Sequence, residues 1–138
     1  MLFGEQFAKV DPGNRYYSYR LVQPLSKGTS GCPLWMGVCH AVDLGYVFGQ
    51  PIEQHSSGHY SHRDFQLSVD MINSWTSFAK TGHPGMMGNV KWEEAFPKGN
   101  TSDLGSHQMM VLDVDHYQNV QGYFKSPCDD FWKSRIFV

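Results

Sequence analysis

WMGVCHAVDLGYVFG, residues 35–49, is the stretch on which the reading of this chain turns. A tryptophan opens it, a glycine stands three residues before His40, an acidic residue stands three after it, and Phe48-Gly49 close it. Apolar residues recur at neither the helical step of three to four nor the strand step of two, so the spacing predicts an irregular loop. Imidazole takes up and returns a proton near neutral pH more readily than any other unperturbed side chain. His40 is therefore the first candidate for chemistry.

The segment resembles the histidine loop of the cholinesterases and type B carboxylesterases, serine hydrolases of the α/β-hydrolase fold, whose pattern here is close to WMGxxHGxExxxVFG. Ala41 stands where that pattern has glycine, and Asp43 where it has glutamate. Glycine alone takes positive φ freely, so Ala41 needs room and a compatible backbone angle. The resemblance makes His40 the counterpart of the general base in a Ser-His-Glu (or Asp) triad. Two further blocks follow in the family's order. WTSFAKTGHP, residues 75–84, is similar to the family's WxxFAKTGxP, with Ser61 ahead of it where the family often has threonine, and Lys91-Trp92 resembles the family's loop tryptophan. The likeness runs from about Met1 to Trp132. It implies an α/β fold class: the C-terminal portion of an α/β-hydrolase fold, incomplete as an independent domain, with residues 1–138 as one segment of a cholinesterase-like domain.

Composition narrows the function classes independently. With 138 residues, 41% of them hydrophobic and 14% aromatic, the chain can bury a core. Its net charge of -2 provides neither the basic stripe that nucleic acid requires nor a polybasic membrane patch, so nucleic acid is not an expected partner. No apolar run approaches the ~18 residues of a spanning helix, and the first residues lack the order of a signal peptide. The three cysteines, Cys32, Cys39 and Cys128, are an odd number. A secreted chain would leave at least one of them over, while Cys32 and Cys39 could pair with each other.

Taken in order, Leu2, Phe3, Phe7 and Val10 are spaced for the buried face of a short helix, which Asp11-Pro12-Gly13-Asn14 ends. RYYSYRL, residues 15–21, reads as a strand with tyrosines on a half-buried face. Residues 23–33 read as a loop containing Gly28-Thr29-Ser30-Gly31-Cys32, a near miss to the nucleophile elbow Gly-x-Ser-x-Gly. The fifth position is not glycine and no helical pattern follows, which argues against Ser30 as a nucleophile. His55, His59 and His62 lie in a Gly/Ser-rich stretch without metal-ligand spacing, so a solvated loop is expected and no metal or cofactor. Ser61-x-x-Asp64 is a capping box that starts a helix, Leu67, Met71, Ile72, Trp75, Phe78 and Ala79 form its apolar stripe, and Gly82 with Pro84 stops it. Residues 85–105 read as a long surface connection, and residues 109–114, MMVLDV, as a buried strand with its methionines as core filling. Ser126-Pro127-Cys128-Asp129 opens a last helix docked by Phe131 and Trp132.

A serine hydrolase needs a nucleophile, a base, a carboxylate that orients the base, and N–H donors for the oxyanion. In α/β-hydrolases the histidine comes last in the chain, so a segment that begins after the acid carries only His40. Asp43, so near to it, is expected to brace the following turn rather than to orient the imidazole. The resemblance therefore implies the C-terminal part of an enzyme cleaving choline or other carboxylic esters, inactive alone. A non-catalytic cholinesterase-like adhesion module is the alternative. The family also implies an extracellular location, a homodimer formed through C-terminal helices, and a disulfide from Cys128 to a cysteine before Met1 and outside this chain.

Overall fold

The computed structural model describes residues 2–11, 13–27, 31–96, 107–123, 130, 131 and 135. Ser30, Ser126–Asp129 with Cys128, and Trp132 lie outside them. Helices and strands are mixed: α1 (Leu2–Val10), β1 (Tyr19–Leu21), α2 (Val42–Val47), α3 (Gln50–Glu53), α4 (His62–Thr81), β2 (Met86–Met87), β3 (Val90–Lys91), β4 (Gln108–Leu112) and β5 (Gln118–Gln121). One sheet has the order β1-β4-β5, and β2 pairs with β3 in a second. The Met110 N–H donates to Ser18 O and the Val22 N–H to Leu112 O, so pairing advances together along β1 and β4, as in a parallel ladder. This is the pairing expected of an α/β protein.

The described residues fall into two compact units, one of Met1–Ser18, Glu93–Met110 and Asn119–Val138, the other of Tyr19–Trp92 and Val111–Gln118. In the first, Ala95 and Phe96 are buried, with Ala8 and Tyr16 against them. Here α1 forms as expected, but on a different face. Phe3 is 76% exposed and Val10 82%, while Gly4 and Glu5 are buried. The reason is close approach: a Cβ on Gly4 would sit 2.3 Å from the Tyr16 ring, so only the small residues Gly4 and Ala8 can face it. Phe3 and Phe7 stack on each other instead, 6.1 Å apart. Phe131, expected to dock the last helix, is half exposed, with the Arg135 guanidinium 4.3 Å from its ring centre.

His107 is, with Glu5, a buried titratable group of this unit. Its Nε2 lies 3.0 Å from Ser18 Oγ, whose own proton goes to Gln108 O. The imidazole is therefore the donor in that pair. Its Nδ1 has no partner among the described residues, and the ring packs 5.2 Å from Phe96. Burial pushes the His107 pKa below the ordinary histidine value, because a second proton would find no acceptor. A histidine kept neutral in the fold loses stability as pH falls through its ordinary, unfolded value of about 6.5 and on towards the lowered folded one. Stability measured by urea unfolding is thus expected to decline between pH 7.5 and 5. His107→Gln, which cannot titrate, should flatten that slope.

In the second unit α4 is the central support. Ser61 accepts from the Asp64 N–H, the Asp64 carboxylate accepts from the Ser61 N–H, and Gly82, at φ 75°, closes the helix by donating to Phe78 O. The caps stand as expected, but the buried face is Asp64, Leu67, Ser68, Met71 and Ser74. Phe78 is 46% exposed and Ala79 is also exposed, contrary to the expected stripe. The face shifts because Ser74 Oγ lies 3.0 Å from Met86 O, placing the β2 hairpin over Ser74. Trp75 packs edge-on to Tyr19 and Trp92. Arg63 pairs with Asp113 and Asp115, and Tyr117 donates to Asp70, tying the segment after β4 to α4.

Of the expected surface connection over residues 85–105, residues 97–105 lie outside the described residues, and residues 85–96 are not simply surface. Met86 pairs with Lys91 and Met87 with Val90 across Gly88-Asn89, and Met87, Trp92, Ala95 and Phe96 are buried. Gly88, at φ 57°, faces the Tyr117 ring so closely that a Cβ would come within 2.9 Å of it. Both the turn and the contact exclude a side chain there. The expected buried strand is β4, with Met109 3% and Met110 0% exposed.

Candidate active site

The site is built on the segment from Cys32 to Gly49. Cys32 and Cys39 are joined by a disulfide. Between them lies a single 3-10 turn, Leu34–Met36, with none of its residues buried, and Gly37 follows at φ 70°. His40 comes next, exposed, and then Ala41 at φ 64° and ψ 11°. Ala41 is the one non-glycine residue at positive φ among the described residues. It takes the left-handed angle that glycine would take, and from that position its carbonyl accepts from Leu44 N–H as α2 begins.

The stretch is thus not loop throughout, as its spacing suggested. It holds one six-residue helix, α2, too short to display a period and bounded by left-handed residues, Ala41 before it and Gly49 just beyond it. Holding alanine at that angle costs on the order of 1 kcal/mol. Ala41→Gly is therefore expected to stabilise the chain by about 0.5–1 kcal/mol in urea unfolding, and Ala41→Val to destabilise it by more than that.

Three hydrogen bonds anchor α2. Tyr19 Oη donates to Asp43 Oδ2 at 2.8 Å, so the carboxylate three residues after His40 braces α2 against β1. Burial, with the Asp43 carboxylate beside it, pushes the Tyr19 phenol well above its ordinary value and keeps it a donor. Tyr46, fully buried, donates to Asp64 Oδ1 at 2.9 Å, and its carbonyl accepts from Ser68 Oγ at 2.6 Å. Burial raises the Tyr46 phenol also. For Asp64, burial alone would raise the carboxyl, but hydrogen bonds from Ser26, Ser61 and Tyr46 outweigh it and hold the group below the usual carboxylate range. Asp64 is thus both the helix cap that its spacing announced and the seat for α2, a role with no local sequence signal.

His40, Ala41, Cys32 and Cys39 help to line an open cavity of about 310 Å³, together with Leu25 and Leu44. His55, His59 and His62 do not join it. His55 and His62 lie against Phe65, and His59 Nδ1 is 2.8 Å from Ser57 Oγ. His55 to His59 are all exposed, as expected of a solvated stretch, with one 3-10 turn, His55–Ser57, at its start. No group of three or more metal-ligating side chains occurs among the described residues.

Residues 4–132 match the model of the carboxylesterase family. The chain belongs to the carboxylesterase family. Acetylcholinesterase of Gallus gallus is 33% identical over 100 residues, which are 72% of this chain and 12% of that protein. Acetylcholinesterase 1 of Caenorhabditis elegans is 31% identical over 100 residues, 72% of this chain and 16% of the relative. Bile salt-activated lipase of Homo sapiens is 46% identical over 54 residues, 39% of this chain and 7% of the relative. The matched stretch is thus less than a fifth of each of these relatives. Carboxylesterases are α/β-hydrolases, and the mixed helices and strands of this chain agree with part of that fold.

Proposed function

We propose that His40 is the general base of a Ser-His-Glu/Asp triad in a cholinesterase-like hydrolase of carboxylic esters, and that residues 1–138 are a C-terminal segment of its domain. The observation that carries this reading is the setting of His40. It is exposed beside an open cavity, on a loop whose left-handed residue is retained although alanine replaces glycine. The left-handed angle at Ala41 supports this reading over a non-catalytic adhesion module, for which the change from glycine to alanine speaks.

In this role the imidazole accepts the proton of a serine hydroxyl as its oxygen attacks the ester carbonyl, then returns it to the departing alcohol. Water repeats the sequence on the acyl-serine. The serine and the acid would come from residues beyond those of this chain, so the chain by itself is expected to be inactive. Asp43 is committed to Tyr19 and serves the loop, not the imidazole. Choline esters or related carboxylic esters are the proposed substrates. An extracellular location is proposed too, supported by the Cys32–Cys39 disulfide, since such bonds persist in oxidising compartments. A homodimer through C-terminal helices and a partner for Cys128 outside this chain complete the proposal.

The test is to recover the native polypeptide with an antibody against Ser61–Gly82, measure its intact mass, and treat it with an organophosphate. A mass several times that of this chain, with one phosphylated serine, is the expected result. An unlabelled polypeptide would overturn the esterase reading.

A further inference from the structure

We propose that the Cys32–Cys39 disulfide is a thiol-sensitive clasp that sets the position of His40, closed in an oxidising medium and opened by a dithiol. Its meaning for catalysis rests on the role proposed for His40; its structural content does not. The bond joins two walls of the cavity beside His40, and Cys39 is the residue directly before the imidazole. Little else holds the enclosed segment. Leu34, Trp35 and Met36 are 55%, 83% and 50% exposed, and a Cβ at Gly37 would meet nothing within 4 Å. The backbone hydrogen bonds Met36 N–H to Pro33 O and Gly37 N–H to Leu34 O both stay inside the segment. On the other side of His40 the chain is fixed, because α2 is seated by Tyr46 on Asp64 and by Asp43 on Tyr19. His40 therefore sits in a turn closed by the Val42 N–H on Cys39 O at 3.4 Å, with packing on the α2 side and the covalent bond of Cys39 on the other.

Opening is thiol–disulfide exchange. A thiolate of the dithiol attacks Cys39 Sγ, Cys39 being half-buried where Cys32 is only 6% exposed, and Cys32 leaves as a thiolate that takes up a proton. The second thiol of the reductant then displaces Cys39. Two electrons and two protons pass to Cys32 and Cys39, and the reductant becomes a cyclic disulfide.

The test uses the chain oxidised, reduced with dithiothreitol, and as the double variant Cys32→Ser/Cys39→Ser. Three readouts are followed: the His40 Hε1 resonance, assigned with His40→Asn; the rate of chymotryptic cleavage at residues 34–36; and amide protection at Leu67 and Met71. The expected result is a shifted His40 resonance and cleavage at least 10-fold faster on reduction, with α4 protection unchanged and both effects reversed on reoxidation. An unmoved resonance with unchanged cleavage overturns the proposal. Collapse of α4 protection overturns it too, since the bond would then be a staple of the whole unit. A positive result beside failed organophosphate labelling would leave the clasp standing and remove the esterase reading alone.

Discussion

On the proposed role of His40 as general base, His40→Ala in the complete protein is expected to lower kcat for ester hydrolysis by about 10⁴–10⁶-fold while leaving KM within a few-fold. Without the imidazole the serine must lose its proton to water, and the leaving alcohol must find its proton there as well. Substrate binding does not use that proton, so the loss belongs in kcat. The exposure of His40 makes the substitution structurally mild, because no buried contact is removed. Urea unfolding of the variant should match the parent, and steady-state hydrolysis of a p-nitrophenyl ester gives the kcat. A fall shared equally between stability and rate would point to a structural role for this residue.

Asp64→Ala is expected to cost about 3 kcal/mol of stability, the sum of a lost N-cap partner and a buried phenol left without its acceptor. Asp64 is fully buried and accepts from Ser61 N–H, Ser61 Oγ and Tyr46 Oη. Removing it frees the first turn of α4 and the seat of α2 together. Asp64→Asn keeps the shape and some of the bonds, and should cost roughly half as much, since charge-assisted bonds are about twice as strong as neutral ones. The pH dependence has a definite sign. A carboxyl whose folded pKa lies below its ordinary value contributes stability above that ordinary value and loses it as pH falls through the folded one, so the Asp64 contribution should fade below about pH 4. Urea unfolding of parent and variants from pH 7 to 3 measures both effects.

What could be read from the sequence was what local chemistry writes. The box of Ser61 and Asp64 and the Gly82 stop determine α4 from side chains three residues apart, or from one left-handed glycine, and both stand in the structure. The Gly88-Asn89 turn carried a comparable signal, a glycine-asparagine pair between short apolar runs, but strands of two residues each are too brief to show alternation. The strand β5, Gln118–Gln121, has no apolar alternation to detect at all. Helix faces depart from apolar spacing where small or polar residues decide the packing, as with Gly4 beneath Tyr16 and Ser74 beneath Met86. The expected strand over residues 15–21 shrank to Tyr19–Leu21.

The candidate site divides in the same way. His40 was legible because a punctuated motif surrounds it, and the disulfide was legible only as a possibility, because pairing depends on how closely two Cβ atoms approach in the fold. Tyr46 carried no signal. Its phenol meets Asp64 only because α2 packs across α4, a contact between residues 18 apart that no spacing rule anticipates. Asp43 braces the turn that follows His40, as expected, but through Tyr19, a partner 24 residues away that no local spacing announces.

The most direct test of His40 as the base is a crystal structure of the organophosphate-labelled native polypeptide. The account predicts a His40 ring nitrogen within about 2.6–3.2 Å of an oxygen on the serine-bound phosphoryl group, in reach for proton transfer. A His40 ring turned away by more than about two such lengths, or another histidine in its place, would contradict it.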